Sequence, residues 1–164
     1  MSYTNADGLL VLTDTDQGAV NGVGRTVDAV TKWLVFNIDD ASTLPDTAGA
    51  ADVLALDAYI PAYSWIKSAT LQVEVPFDSA GDAGTLDLGL AQANGTLISA
   101  DGIDVDIAQG AIDAKGDVVV CNGSLVGGVA SVGANDAYVV ASYETAAFTA
   151  GKAKLLIEYI TFDV

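Results

Sequence analysis

The sequence predicts a mostly β chain: a single antiparallel β-sandwich, jelly-roll-like, with about eight strands and little helix. Three observations predict it. Apolar residues recur at every second position over several segments, as in Leu71, Val73, Val75 and Phe77, which is the period of a strand with one core face. Turn-forming clusters punctuate those segments, among them Asp78-Ser79-Ala80-Gly81-Asp82-Ala83-Gly84 and Gly127-Gly128, where glycine and aspartate supply the tight backbone. Helical spacing is nowhere sustained. Eight strands with such turns describe a sandwich, and a jelly roll is one common arrangement of eight.

The elements follow in order. Leu9–Thr13 is a first short candidate, and Thr31–Ile38 a second. Val27, Val30 and Leu34 share a helical face there, but the β-branched run with Trp33 and Phe36 argues equally for a strand. Ser42–Ala51 reads as a loop or one short helix, and Asp52–Asp57 as a strand. The alternating segment at Leu71–Phe77 is followed by Leu86, Leu88 and Leu90, which alternate with Thr85, Asp87 and Gly89. Asn94-Gly95 between Leu90 and Leu97 is the strongest short hairpin signal. Gly116–Cys121, Ala137–Tyr143 and Ala153–Phe162 complete the set. The last two are apolar on both faces, the pattern of strands buried between layers.

At 164 residues the chain is read as one domain, 1–164, with 1–25 as an extended N-terminal arm. That length buries about two-thirds of the unfolded surface, enough for a core without disulfides or metal. Cys121 is the only cysteine, so no internal disulfide is available, and after Val118-Val119-Val120 it reads as a buried apolar thiol. The chain has no histidine, 22 acids and 6 basic residues, for a formal charge of −16. Lacking histidine, it lacks the commonest general base and metal ligand. The acidity disfavours nucleic acid and anionic membranes, which are bound through clustered lysine and arginine, and it suits a basic protein surface or a divalent cation. The N-terminus has no basic n-region, so a soluble protein without a signal peptide is expected. No apolar run approaches the ~18 residues of a membrane span.

Few residues suggest chemistry. Asp101, Asp104 and Asp106 are spaced closely enough to be calcium candidates. They do not match the EF-hand loop, and they read first as the wet face of a strand whose core face is Ile103, Val105 and Ile107. Gly22-Val23-Gly24-Arg25 lacks the rest of any phosphate-binding motif and reads as a turn. Most aromatic residues fall inside strands, where packing is the default. Tyr63 and Trp65, beside Pro61, are the exceptions and are interface candidates. No catalytic residue and no cofactor is assigned.

The stretch from Ala58 to Val75, with its Ile60-Pro61-Ala62 step into an alternating strand, is followed by Phe77-Asp78 and Leu86-Asp87-Leu88-Gly89-Leu90. Asp101-Gly102-Ile103-Asp104, Phe148–Ala153, Ile157–Ile160 and Trp33–Asp39 belong to the same pattern. It resembles one frequent in tailed-phage virion proteins. The resemblance implies a small non-enzymatic structural protein, a capsid decoration (cement) protein that binds the major capsid protein as a homotrimer. It would be made in the host cytoplasm and reside on the capsid surface. It carries over no functional residue, because the shared pattern is one of strands and turns. The alternative is a carbohydrate- or receptor-binding β-sandwich of a tail fibre, with Tyr63 and Trp65 as the sugar platform.

Overall fold

The computed structural model describes residues 3–4, 10–11, 29–46 and 53–162. Within them run nine strands: β1 (Tyr3–Thr4), β2 (Leu10–Val11), β3 (Ala29–Ile38), β4 (Trp65–Ser79), β5 (Thr85–Ala91), β6 (Leu97–Ala108), β7 (Val118–Val120), β8 (Tyr138–Glu144) and β9 (Phe148–Phe162). β1 and β2 form a two-stranded ribbon. The other seven form two antiparallel sheets, ordered β3-β9-β4-β7 and β6-β5-β8. Most of the expected arm, 1–25, lies outside the described residues, as do Gly22–Arg25.

The two sheets share one core. Phe36, Leu71, Val73, Phe77, Leu155 and Ile157 come from the four-stranded sheet, and Leu86, Leu88, Leu90, Ile103 and Val139 from the three-stranded one, all nearly or fully buried in one cluster. Full burial of each such side chain stabilises the fold by about 1.5–3 kcal/mol. The alternation read at Leu71, Val73 and Phe77 and at Leu86, Leu88 and Leu90 is thus the inner face of each sheet, whereas Val75, expected on the core face, is turned outward by register shifts on both sides of it.

Connectivity makes the sandwich a jelly roll. The expected strand over 52–57 is reduced to a bridge between Val53 and Val140, with Leu54 N–H donating to the Val139 carbonyl at 2.9 Å. Counting that bridge as the second strand gives eight in chain order. β3 pairs with β9, the bridge with β8, β4 with β7, and β5 with β6. First meets eighth, second meets seventh, third meets sixth, and fourth meets fifth. That is one long antiparallel ribbon rolled onto itself.

Other expectations need correction. Of the expected loop or short helix over 42–51, residues 47–51 lie outside the described residues, and the described part holds the end of a 3-10 turn at Ala41–Thr43, capped by Asp40 Oδ1, which accepts from Ser42 N–H at 3.0 Å. β4 begins at Trp65, six residues before its alternation becomes legible, because a bulge between Ile66 and Ser68 breaks the period. β8 is buried on both faces from Val139 to Ser142, but β9 is not. Its Ala153, Leu155 and Ile157 point inward, while Lys152, Lys154 and Leu156 are exposed. Hydrophobicity on both faces of β9 reflects one core face and one uncovered apolar face.

The Asn94-Gly95 hairpin joins β5 to β6. Gln92 N–H donates to Thr96 O at 2.8 Å, Asn94 Oδ1 accepts from Thr96 N–H at 3.0 Å, and Gly95 sits at φ 79°. That left-handed position is where glycine has no Cβ penalty.

Candidate functional site

The aspartates of β6 serve the backbone. Leu86 pairs with Ile107 and Leu88 with Asp104, so three steps of β6 face two of β5, and Asp106 takes φ 55° in the resulting bulge. Asp87 Oδ1 accepts the Asp106 N–H at 2.7 Å, Asp104 Oδ1 accepts from Val105 N–H at 2.9 Å, and Asp101 Oδ1 accepts from the Ser99 hydroxyl at 2.8 Å. The bulge also breaks the expected alternation: Val105 is exposed and Asp104 is buried. The carboxylates of Asp87, Asp101 and Asp104 are thus occupied with neighbours in sequence or strand, and Asp106 takes part through its backbone N–H. Among the described residues no three His, Cys, Asp or Glu side chains are grouped so as to hold a metal ion.

Burial pushes Asp87 above the usual carboxylate range, against the bond from Asp106. Cys121 lies on the inner side of the same region, nearly fully buried. Burial, and then the nearby Asp104 carboxylate, pushes its thiol up to about 12. A thiol so placed holds its proton and packs as an apolar group. We expect native protein to leave Cys121 unmodified by an aromatic disulfide reagent at pH 8, with full reaction after denaturation. Rapid labelling of the native chain would contradict this burial.

Tyr63 and Trp65 flank a turn at Pro61–Ser64. Tyr63 is exposed and held at φ 59°, its N–H donating to Gly133 O at 2.7 Å. Trp65 is half-buried, and its indole N–H donates to Gly128 O at 2.7 Å, fastening the 126–133 loop to β4. Tyr63 thus faces solvent, while the Trp65 indole is committed to anchoring a loop. Tyr59 and Tyr138 pair nearby with centroids 5.7 Å apart, beside a shallow polar cleft of about 310 Å³ at Gln92, Asn94, Asn135 and Asp136.

Among the described residues, exposed apolar side chains gather on the outer face of the β3-β9-β4-β7 sheet. Register aligns its side chains in rows: Val35, Leu156, Thr70 and Val120; Asn37, Lys154, Gln72 and Val118; Trp33, Glu158 and Ser68. Trp33 is 56% exposed, Val35 52%, Val118 55%, Val120 73% and Leu156 37%. A groove of about 330 Å³ runs between Val35, Thr70, Gln72, Val118, Lys154 and Leu156. Val129 and Leu56 are exposed singly elsewhere, which is ordinary for a folded surface. A contiguous band of this kind marks an interaction surface.

Its charge is as unusual as its hydrophobicity. Lys67, Lys152 and Lys154 lie on this face with Glu74, Asp78 and Glu158. The face therefore carries three of the chain's 6 basic residues and three of its 22 acids. Lys67 Nζ meets Glu158 Oε1 at 2.8 Å, with Ser68 Oγ on the other carboxylate oxygen, and Lys154 Nζ meets Glu74 at 2.6 Å. The Lys67 ammonium holds Glu158 below the usual carboxylate range. Such pairs on a wet face contribute at most about 1 kcal/mol each. Their consequence is local neutrality on a strongly acidic chain.

Sequence reading missed Trp33, Val35, Leu156, Val118 and Val120 as a group. The available signal was the run of apolar residues on both faces of Thr31–Ile38 and Ala153–Phe162. Over Ala153–Phe162 that signal reads as double-sided burial, which periodicity cannot distinguish from a core face backed by a docking face.

No protein-family model matches the chain, and no curated protein matches it. Among solved structures, the chain is similar to one in the cyanophage Pam1 capsid asymmetric unit, at 17% identity and a TM-score of 0.55, over 90% of this chain and 96% of that one. It is also similar to a chain in the capsid of Ralstonia phage GP4, at 18% identity and a TM-score of 0.49, over 82% of this chain and 86% of that one. Among the described residues no helix is long and apolar enough to cross a membrane. At these identities the likeness is one of fold, and the Pam1 capsid chain and this chain are nearly coextensive β-sandwiches.

Proposed function

We propose that this chain is a virion structural protein, a decoration protein that binds the major capsid protein on the outside of a phage head as a homotrimer. The observation that carries the reading is the near full-length fold likeness to a capsid chain.

The surface supports it. A decoration protein needs a rigid body and two kinds of contact, one to the shell and one to its own copies, and it needs no chemistry. The acid coat over turns and strand ends suits a basic shell surface, and the neutral apolar sheet face suits a different contact. Tyr63, exposed in a strained turn, belongs to the loops that would reach the shell, with Trp65 holding the adjacent 126–133 segment in place. Synthesis in the host cytoplasm and residence on the capsid surface follow from the same role.

Recombinant chain added to heads stripped of it should cosediment with them and raise the temperature at which they rupture. Failure to cosediment at micromolar concentration would overturn the proposal.

A further inference from the structure

We infer that the outer face of the β3-β9-β4-β7 sheet is where this chain docks on a second copy of itself. The inference deepens the decoration reading and rests on it only for the number of copies, three.

Charge selects the occupant. At physiological salt, charges more than about 8 Å apart are largely screened, so what decides whether two copies can meet is the charge close to the contact. Over most of its surface a chain of formal charge −16 presents acids, and a second copy approaching there is repelled. On this face the six charged side chains are three lysines and three acids, and four of them are already paired as Lys67–Glu158 and Lys154–Glu74. A copy meeting a copy through it buries Trp33, Val35, Leu156, Val118 and Val120 without confronting like charge. A basic shell partner gains nothing there, because its complement is the acid coat.

The topology fits closure. The apolar band reaches both edges of one sheet, with Trp33 and Val35 on β3 and Val118 and Val120 on β7. The β3 side of one copy can therefore meet the β7 side of the next, a heterologous contact of the kind that closes rings. Among the described residues β3 has β9 on one side and no strand on the other, so ten residues of edge adjoin the patch.

The test compares the solution mass of the wild-type chain with that of Val35→Glu/Leu156→Glu by light scattering. Both positions face solvent in the protomer and pair in one row, so each copy brings two added charges to the contact. The expected result is a wild-type mass three times that of the protomer and a variant at the protomer mass, with unchanged circular dichroism. A monomeric wild type, or a variant that keeps the wild-type mass, would overturn the inference. Should the variant fail to fold, oxidative footprinting of the wild type decides: Trp33 should be protected relative to Tyr63 at micromolar concentration and lose that protection on dilution. Equal labelling throughout would refute self-docking. Head binding is read separately on the same samples. A wild type that assembles through this face yet never binds heads leaves the inference standing and removes the decoration reading.

Discussion

Phe77→Ala is expected to lower the free energy of unfolding by about 3–5 kcal/mol, the range for a buried phenylalanine. Phe77 is 1% exposed and meets Phe148 edge-on, with ring centroids 5.2 Å apart and planes at 85°. Its ring lies over Gly151, where an added Cβ would sit 2.6 to 2.9 Å from three ring atoms. The pocket is thus built by β4 from one side and by the start of β9 from the other. Neither can move inward to fill it, because both are held in the ladder that pairs Asp78 with Ala150 and Ser79 with Phe148. Truncation leaves a cavity and also removes the aromatic contact, which adds about 0.5–1.5 kcal/mol to area burial. For a domain stable by some 5–15 kcal/mol this is a large fraction. Denaturant titration should show a lower midpoint at unchanged slope. A loss under 1 kcal/mol would mean that the two sheets do not close on this ring.

Gly89→Ala should cost about 3 kcal/mol, at the upper end of ordinary overpacking. Leu88 pairs with Asp104 and Leu90 with Ser99, so five steps of β6 oppose two of β5 and the chain from Ala100 to Ile103 folds over the strand. An alanine Cβ at position 89 would lie 2.4 Å from the Ala100 carbonyl oxygen and 2.7 Å from that of Ser99. The obstruction is backbone, so no rotamer relieves it. The bulge is itself pinned, since Ser124 N–H donates to Asp101 O and Leu125 N–H to Gly102 O, both at 3.0 Å. Gly110→Ala is the control, with nothing within 4 Å of the added methyl and a change within about 0.5 kcal/mol expected. Equal stability of the two variants would contradict the bulged course of β6.

How much of this was legible in sequence depends on where alternation survives. Leu71–Val73 and Leu86–Leu90 keep their period, and Asn94-Gly95 fixes its turn locally, so these elements could be read directly, whereas the register shifts around Val75 turn it outward against the pattern. Trp65–Ala69 could not, because the bulge at Lys67 shifts the phase by one residue. Val105 and Asp106 were read as opposite faces of a regular strand, whereas the bulge exposes Val105 and leaves an N–H for Asp87 to accept. That partner lies nineteen residues away, beyond the reach of local pattern.

The interaction face was hidden for a different reason. Alternation reports that a strand has two apolar faces, as Thr31–Ile38 does, but not which elements cover them. Coverage is a property of the strand order β3-β9-β4-β7, in which nothing among the described residues packs on the outer side. Only register places Val35, Leu156 and Val120 in one row and gathers three lysines among them. The acids, by contrast, could be read from the start as a coat concentrated at turns and bulges.

The account holds that this protein acts through its surface, as a component of the outside of a phage head. Electron cryo-microscopy of purified virions tests that most directly. The account predicts sandwich-shaped density fitting this chain on the outer head surface, three copies about each local threefold axis, with the Trp33–Leu156 face turned toward a neighbouring copy. Its absence from the head surface would contradict the account.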